Sequence, residues 1–250
     1  MNRALCPVGD TAKVEALFAG WEETMILSCL QRVMGTIYVN DPEKPASAMA
    51  VLADFVFLAG EPDRALVEGK PEGFRILVPQ NKDWAELIEA CFPDAERYDR
   101  WAIRKDTRFD RERLAAMAAA LPAGCELRRI DGELYDLCLA DALFQDGVKH
   151  FGSKEEYLRH GRGFAVVKDG RLASIASSYS VYRGGVEIEI DTAEAERRKG
   201  LASAAGAALI LSCLDDGLYP SWDAANMASV HLAEKLGYEL SHAYHCYGVK

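Results

Sequence analysis

The sequence lacks the paired cysteines that would indicate a disulfide framework or a structural zinc site. It has seven cysteines, an odd number with scattered spacing and no C-x-x-C pair. Most of them lie among apolar residues, where a free cysteine behaves as a small hydrophobic side chain. This usage favours a reducing compartment.

Long hydrophobic runs are also missing. The longest, near Met49–Leu58 and Ala202–Leu214, are too short or too interrupted to span a bilayer. The first residues lack the apolar core of a secretory signal peptide. We therefore expect a cytoplasmic protein that does not associate with membranes.

An excess of basic residues is absent, since the formal net charge is -10. Nucleic-acid binding relies on clustered Lys and Arg, so it is not expected. No G-x-x-x-x-G-K-(S/T) sequence is present, which disfavours a phosphate-loop NTPase. The five histidines show no spacing typical of a metal site, and we expect no bound metal.

The hydrophobic patterning predicts an α+β chain in two parts. Pro122-Ala123-Gly124 breaks the chain, so we place a smaller α+β domain at residues 1–122 and a second domain at 123–250. In the first part, helical spacing predicts one helix that begins at Asp10-Thr11 and continues to Gly35. The apolar segment Ala48–Leu58 is predicted to be a single buried strand.

The second part has a more regular order of elements. A strand from Cys125 precedes two helices, and then three strands are predicted at Gly163–Lys168, Arg171–Val181 and Val186–Thr192. Asp169-Gly170 and Gly184-Gly185 supply the turns of an antiparallel meander. A long helix, Gly200–Asp215, a short strand from Tyr219, a helix ending at Leu236 and a final strand region follow.

Three consecutive basic residues stand at the start of the long helix, in Arg197-Arg198-Lys199-Gly200-Leu201-Ala202. The helix dipole disfavours cations at this end. A bound anion would explain them, because helix N-termini offer free backbone N–H groups and a glycine permits close approach. The alternative from these residues alone is a solvated basic turn.

These residues resemble the R/Q-x-x-G-x-G/A pyrophosphate loop of the GNAT superfamily of N-acetyltransferases, with Arg197, Gly200 and Ala202 at its fixed positions. Asn226 and the later Leu236-Gly237-Tyr238 are similar to a second family segment, with Ser229 at its small-residue position. The element order of the C-terminal half also resembles this family. The resemblance implies a mixed, mostly antiparallel sheet flanked by helices.

A narrower resemblance comes from Glu187–Thr192 together with Ser221–Ala224. These segments are similar to a two-part GNAT subfamily, in which a degenerate GNAT-like N-terminal portion precedes the cofactor-binding domain. The residues before Pro122 would then help to shape the substrate side.

The resemblance implies that acetyl-CoA is the co-substrate. Its pantetheine arm would pair with the strand before the loop, at Ile188, Ile190 and Thr192, and Asn226 and Ser229 would lie near the cofactor. Asn226 also fits an ordinary helix N-cap. The residues implied at the diphosphate are Arg197, Arg198, Lys199, Gly200, Leu201, Ala202 and Ser203.

Glu187 and Glu189 alternate with apolar residues on the predicted strand and share one face. Acyl transfer requires an amine to lose a proton, and family members commonly use a glutamate for this step. The alternative is a solvent-facing polar stripe. Ser177-Ser178-Tyr179-Ser180 on the middle strand are either cleft-lining residues or ordinary strand residues.

One departure from the family concerns the proton donor. Many members have a tyrosine five residues before the aromatic residue that follows Leu-Gly, and Ala233 stands there.

We expect an N-acetyltransferase that moves an acetyl group directly to a primary amine on a small molecule or peptide. The alternative is a non-catalytic acyl-CoA-binding regulator or scaffold. The sequence does not indicate an oligomeric state.

Overall fold

A computed structural model describes residues 5–250. Contacts divide the chain into two compact units, one formed by Met1–Arg100 with Ala243–Lys250 and the other by Trp101–His242. The domain boundary between residues 122 and 123 stays a prediction. The compact units are divided at other positions in the chain. The segment 101–122 belongs to the second unit, and the last residues return to the first.

The first unit holds a sheet whose strands run in the order β1-β2-β3-β4-β5-β13-β6. Its helices are α1 (Thr24–Leu30), α2 (Arg64–Glu68) and α3 (Lys82–Cys91). The strands are β1 (Cys6–Pro7), β2 (Thr36–Val39), β3 (Ser47–Leu52), β4 (Phe55–Gly60), β5 (Arg75–Pro79), β6 (Glu96–Ile103) and β13 (Leu240–Val249). Buried residues at the core of this unit are Met49, Val56, Leu58, Leu66, Val67, Leu77, Trp84, Ile88, Tyr247 and Val249.

Two sequence predictions for this unit are wrong. The long first helix is replaced by two short 3-10 turns and α1, because Gly20 adopts a left-handed φ of 77° and interrupts the helical path. The single strand at Ala48–Leu58 is a hairpin of β3 and β4. Ala53, with a φ of 50°, makes the tight turn between them.

The second unit contains a five-stranded sheet in the order β11-β10-β9-β8-β7. The strands of this sheet are β7 (Cys125–Arg129), β8 (Gly163–Lys168), β9 (Arg171–Tyr182), β10 (Gly185–Thr192) and β11 (Tyr219–Ser221). The unit also contains β12 (Asp223–Ala224), which pairs with β6. Its helices are α4 (Arg111–Ala119), α5 (Gly132–Ala140), α6 (Lys154–His160), α7 (Leu201–Asp215) and α8 (Met227–Leu236). The antiparallel meander β8-β9-β10 predicted from the sequence is confirmed.

Helix α7 is the central helix of this unit. It is rich in Ala and Leu and is buried on most sides, as expected for a helix that is hydrophobic all round. It contacts β8, β9, β10 and β11, and α4 packs against it. Gly206 permits this close packing, because a Cβ there would lie 3.0 Å from the Cδ1 atoms of Ile190 and Leu236. The helix therefore fixes the loop before it relative to β10.

Candidate active site

Strands β10 and β11 separate partway along their length. They pair in parallel only where Gly185, Val186 and Glu187 lie opposite Tyr219, Pro220 and Ser221. Beyond that point β10 pairs with β9 as far as Thr192, and β12 pairs instead with Trp101 and Ala102 of β6. The segment Ile188–Thr192 thus has an edge without a β11 partner within the described chain. Such an edge can accept an extended segment as an added strand.

A β-bulge lies at the point of separation. Glu187 is opposite Ser180, but the next residue, Ile188, is opposite Ser178. Tyr179 is therefore the extra residue on β9, and a bulge places two residues against one on the partner strand. Tyr179 and Ser180 together oppose Glu187, and the Tyr179 ring centroid lies 4.4 Å from that of His150.

Glu187 is buried in the middle of a polar row that crosses three strands. Its neighbours by register are Ser180 on β9 and Ser221 on β11, and residues directly opposite one another share a face of the sheet. Glu187 is 3% exposed, and both serines are 0% exposed. The alternative of a solvent-facing stripe therefore does not hold for Glu187.

Glu189 and Asp191 continue the same face toward the end of β10. Glu189 is half-buried opposite Ser177, and Asp191 is half-buried opposite Ile175. Burial, and next the charge of Asp146, raise the pKa of Asp191 from 3.8 to about 6, while Arg197 acts in the opposite direction. Asp191 is a further acidic residue of this face, and its position two residues after Glu189 on the strand is the signal for it in the sequence.

The loop before α7 has a backbone shaped by left-handed residues. Arg198 has a φ of 60°, and Gly200, the N-cap, has a φ of 85°. Gly200 supplies no side-chain cap, and the first turn of α7 contains no acidic residue. The first backbone N–H groups of a helix have no acceptor within it, and an anion such as a diphosphate satisfies them. A Cβ at Gly200 would meet nothing within 4 Å, so the approach is open.

The side chains of the loop have different surroundings. The Lys199 ammonium donates to the Ala195 carbonyl at 2.8 Å and pairs with Glu196 at 3.0 Å, so it is held within the loop. Arg197 Nε donates to the Thr192 carbonyl at 3.4 Å, and Arg198 is exposed. Backbone N–H groups, rather than Lys199, are therefore the main anion-binding groups that this loop offers.

The remaining predicted cofactor residues lie near these elements with structural contacts of their own. Thr192 Oγ1 is 2.7 Å from Ser174 Oγ. In the first turn of α7, Leu201 and Ser203 are buried and Ala202 is half-buried. Asn226 caps α8, since its Oδ1 accepts from the Ser229 N–H at 3.0 Å.

Three further residues lie around the end of β11 and helix α8: Trp222, Ala233 and Lys105. Trp222 Nε1 donates to Ser229 Oγ at 3.1 Å, which ties the end of β11 to this helix. Ala233 is 0% exposed, so the position that often carries the family's proton donor is filled by a buried methyl group. Lys105 Nζ donates to the Trp222 carbonyl at 2.8 Å. Sequence reasoning missed Lys105, because nothing in its local pattern indicates a partner so far along the chain.

The described residues contain neither a metal-binding cluster nor a membrane-spanning helix. Within residues 5–250, no cluster of three or more His, Cys, Asp or Glu side chains has an arrangement that would hold a metal ion. Over the same residues, no helix combines the length and the apolar character needed to cross a membrane.

Comparisons with known proteins identify the family of this chain. The family model for GNAT acetyltransferases matches residues 15–247. An uncharacterized N-acetyltransferase, YdfB, from Bacillus subtilis (strain 168) is 30% identical over 240 residues, which cover 90% of this chain and 89% of that protein.

Solved structures give the same result. The crystal structure of a GCN5-related N-acetyltransferase-like protein from Streptococcus suis 89/1591 has a TM-score of 0.92 and 44% identity, and the match covers 95% of this chain and 97% of that one. A tandem GNAT protein from the clavulanic acid biosynthesis pathway has a TM-score of 0.56 at 13% identity, covering 98% of both chains, and shows likeness of fold alone.

The chain belongs to the GNAT acetyltransferase family. The match includes most of the first unit, so it extends well beyond the C-terminal half in which the sequence resemblance lies. The predicted GNAT-like α+β fold is confirmed.

Proposed function

We propose that this protein transfers an acetyl group from acetyl-CoA to a primary amine in a ternary complex. One observation carries the proposal: β10 leaves β11 at the buried Glu187, and the same strand leads into an open, glycine-capped helix start. The segment from β10 to the start of α7 thus contains three features: a strand edge for the pantetheine arm, a site for a diphosphate, and a carboxylate.

The residues fit a coenzyme A thioester. Leu201, Ala202 and Ser203 present backbone N–H groups at the N-terminus of α7, and Gly200 leaves the space before them open. Ile188, Ile190 and Thr192 lie along the part of β10 that β11 has left, so their backbone groups suit the pantetheine arm. When bound, acetyl-CoA supplies the activated acyl group.

The chain's own chemistry centres on the amine. An ammonium group cannot attack a thioester until it loses a proton, and Glu187 is the carboxylate at the point where the strands part. We assign the base to Glu187 and an auxiliary electrostatic role to Glu189, which is more exposed and farther from the separation. The buried Ala233 offers no acid, so the coenzyme A thiolate leaves without a proton from that position.

The acceptor is a small molecule or a peptide that carries a primary amine. The negative net charge of -10 favours a cationic acceptor of this kind. The cysteines Cys6, Cys29, Cys91, Cys125, Cys138, Cys213 and Cys246 are all free thiols, which suits action in the reducing cytoplasm.

Thiol release from acetyl-CoA in the presence of an amine panel tests the proposal. We expect release that depends on a primary amine and falls by about 10²- to 10⁴-fold in Glu187→Gln. Binding of acetyl-CoA without any amine-dependent release would contradict it and favour a non-catalytic acyl-CoA-binding regulator or scaffold.

A further inference from the structure

Two buried serine hydroxyls beside Glu187 have no hydrogen-bond partner. Ser180 and Ser221 are each 0% exposed, and no donor or acceptor among residues 5–250 lies within reach of either Oγ. A buried polar group without a partner costs free energy, and proteins usually keep one where a ligand or ordered water satisfies it. These hydroxyls therefore indicate that a polar group binds between them.

Other serines of β9 show that this is not the usual arrangement here. Ser178 Oγ accepts from the Arg162 N–H at 2.8 Å, and Ser174 Oγ donates to the Asp191 carbonyl at 2.8 Å. Ser177 Oγ donates to the Gly147 carbonyl at 2.6 Å. The unsatisfied hydroxyl on this strand is the one directly opposite Glu187.

The register places the two hydroxyls on either side of the Glu187 carboxylate. Ser180 and Ser221 are its direct neighbours on β9 and β11, and side chains opposite one another have Cβ atoms about 5 Å apart. A single small group at the centre of this row therefore meets three oxygen acceptors on one face of the sheet.

We propose that this row holds the –NH₃⁺ group of the acceptor and selects primary amines. This inference rests on the proposed function and deepens it. A primary ammonium has three N–H donors, which match the Glu187 carboxylate and the hydroxyl oxygens of Ser180 and Ser221. A secondary ammonium has one fewer donor and leaves a buried hydroxyl unsatisfied.

The same row takes the proton that keeps the nitrogen from attacking. One ammonium proton passes to the Glu187 carboxylate, which leaves a lone pair on the nitrogen. The neutral amine then turns this lone pair from Glu187 to the thioester carbon and attacks it, so that the C–N bond forms and the C–S bond of acetyl-CoA breaks. The second proton lost by the nitrogen neutralises the coenzyme A thiolate, and Glu187 releases its proton to water.

Stability in the absence of any amine is the first test. Replacing an unsatisfied buried hydroxyl removes a cost, so Ser180→Ala and Ser221→Ala should unfold at or above the wild-type temperature. The matched control is Ser178→Ala, which loses a buried hydrogen bond on the same strand and should unfold about 2–4 °C lower. Equal destabilisation by all three substitutions would mean that the hydroxyls have structural partners, and the inference would be overturned.

Turnover with paired amines is the second test. The probes are 2-phenylethylamine and N-methyl-2-phenylethylamine, together with the other primary amines of the panel and their N-methyl derivatives, with thiol release from acetyl-CoA as the readout. We expect the wild type to use the N-methyl compound roughly 5- to 150-fold less efficiently, from the effect of one unsatisfied buried group. Ser180→Ala and Ser221→Ala should reduce that ratio, and Ser178→Ala should keep it.

The outcomes separate this inference from the proposed function. If primary and N-methyl amines react at equal rates, the acetyltransferase activity stands and only the row's role is wrong. If acetyl-CoA binds but no amine releases thiol, both are wrong.

Discussion

Replacing Asp191 with asparagine should stabilise the protein at neutral and alkaline pH but not in acid. Asp191 lies half-buried on β10, near the like charge of Asp146, and burial is the main cause of its raised pKa. Asparagine has nearly the same shape and carries no charge, so the substitution removes the ionisation and little else.

The size of the effect follows from the pKa. The rise in the pKa of Asp191 from 3.8 to about 6 means that ionised Asp191 lowers the free energy of unfolding by about 3 kcal/mol, because each pKa unit is worth 1.36 kcal/mol. This is an upper limit, since water still reaches part of the carboxyl group.

The sign is set by which state holds the proton. The folded protein keeps it up to about pH 6, whereas the unfolded chain releases it near 3.8, so wild-type stability falls as the pH rises between these values. Above about pH 6 the full penalty applies. Asp191→Asn escapes that penalty, so its advantage should be complete at pH 8 and close to zero near pH 4.

Urea denaturation of both proteins at pH 4 and pH 8 measures this difference. Asp169→Asn is the matched control, because it makes the same chemical change at an exposed turn. The reasoning would be refuted if Asp191→Asn changed stability equally at both pH values, or if it destabilised the protein at pH 8.

Three further substitutions have definite expected results. Glu187→Gln should lower kcat by about 10²- to 10⁴-fold while acetyl-CoA binding is unchanged, and an unaltered kcat would exclude Glu187 as the base. Glu189→Gln should lower kcat less, and steady-state thiol-release kinetics measure both. Asn226→Ala removes the N-cap of α8 and should lower the free energy of unfolding in denaturant by about 1 kcal/mol. An unchanged free energy of unfolding would mean that the cap does not stabilise the protein.

The second unit was largely predictable because its turns have strong local signals. Asp169 and Gly170 both have positive φ angles in the turn between β8 and β9, and Gly184 has a positive φ angle just before β10. Gly217 and Gly237 likewise follow α7 and α8 in left-handed conformations. These positions fix the ends of elements through backbone sterics, which the sequence displays directly.

The first unit was less predictable because residues of ordinary type adopt unusual backbone angles there. Ala53 makes a turn at a φ of 50°, although nothing in the apolar run around it indicates a break. Gly20 ends what helical spacing alone would extend. At Ala53 the pairing of β3 with β4 overrides the local pattern, whereas at Gly20 the left-handed backbone of the glycine itself breaks the helix.

The candidate site combines what the sequence shows with what only the fold reveals. Glu187 and Gly200 were predictable from alternation and from the loop. The bulge at Tyr179 and the alignment of Ser180 with Ser221 were not, because they depend on register between strands distant in sequence. The polar row is therefore a property of strand pairing.

The central claim is that the loop before α7 binds the diphosphate of acetyl-CoA, and calorimetric titration with acetyl-CoA tests it most directly. Gly200→Glu and Gly200→Gln impose the same backbone strain at a φ of 85° and nearly the same bulk, so they differ in charge alone. We predict saturable wild-type binding near one molecule per chain, with Gly200→Glu folded and losing far more affinity than Gly200→Gln. No wild-type binding at millimolar acetyl-CoA, or wild-type affinity in folded Gly200→Glu, would contradict the account.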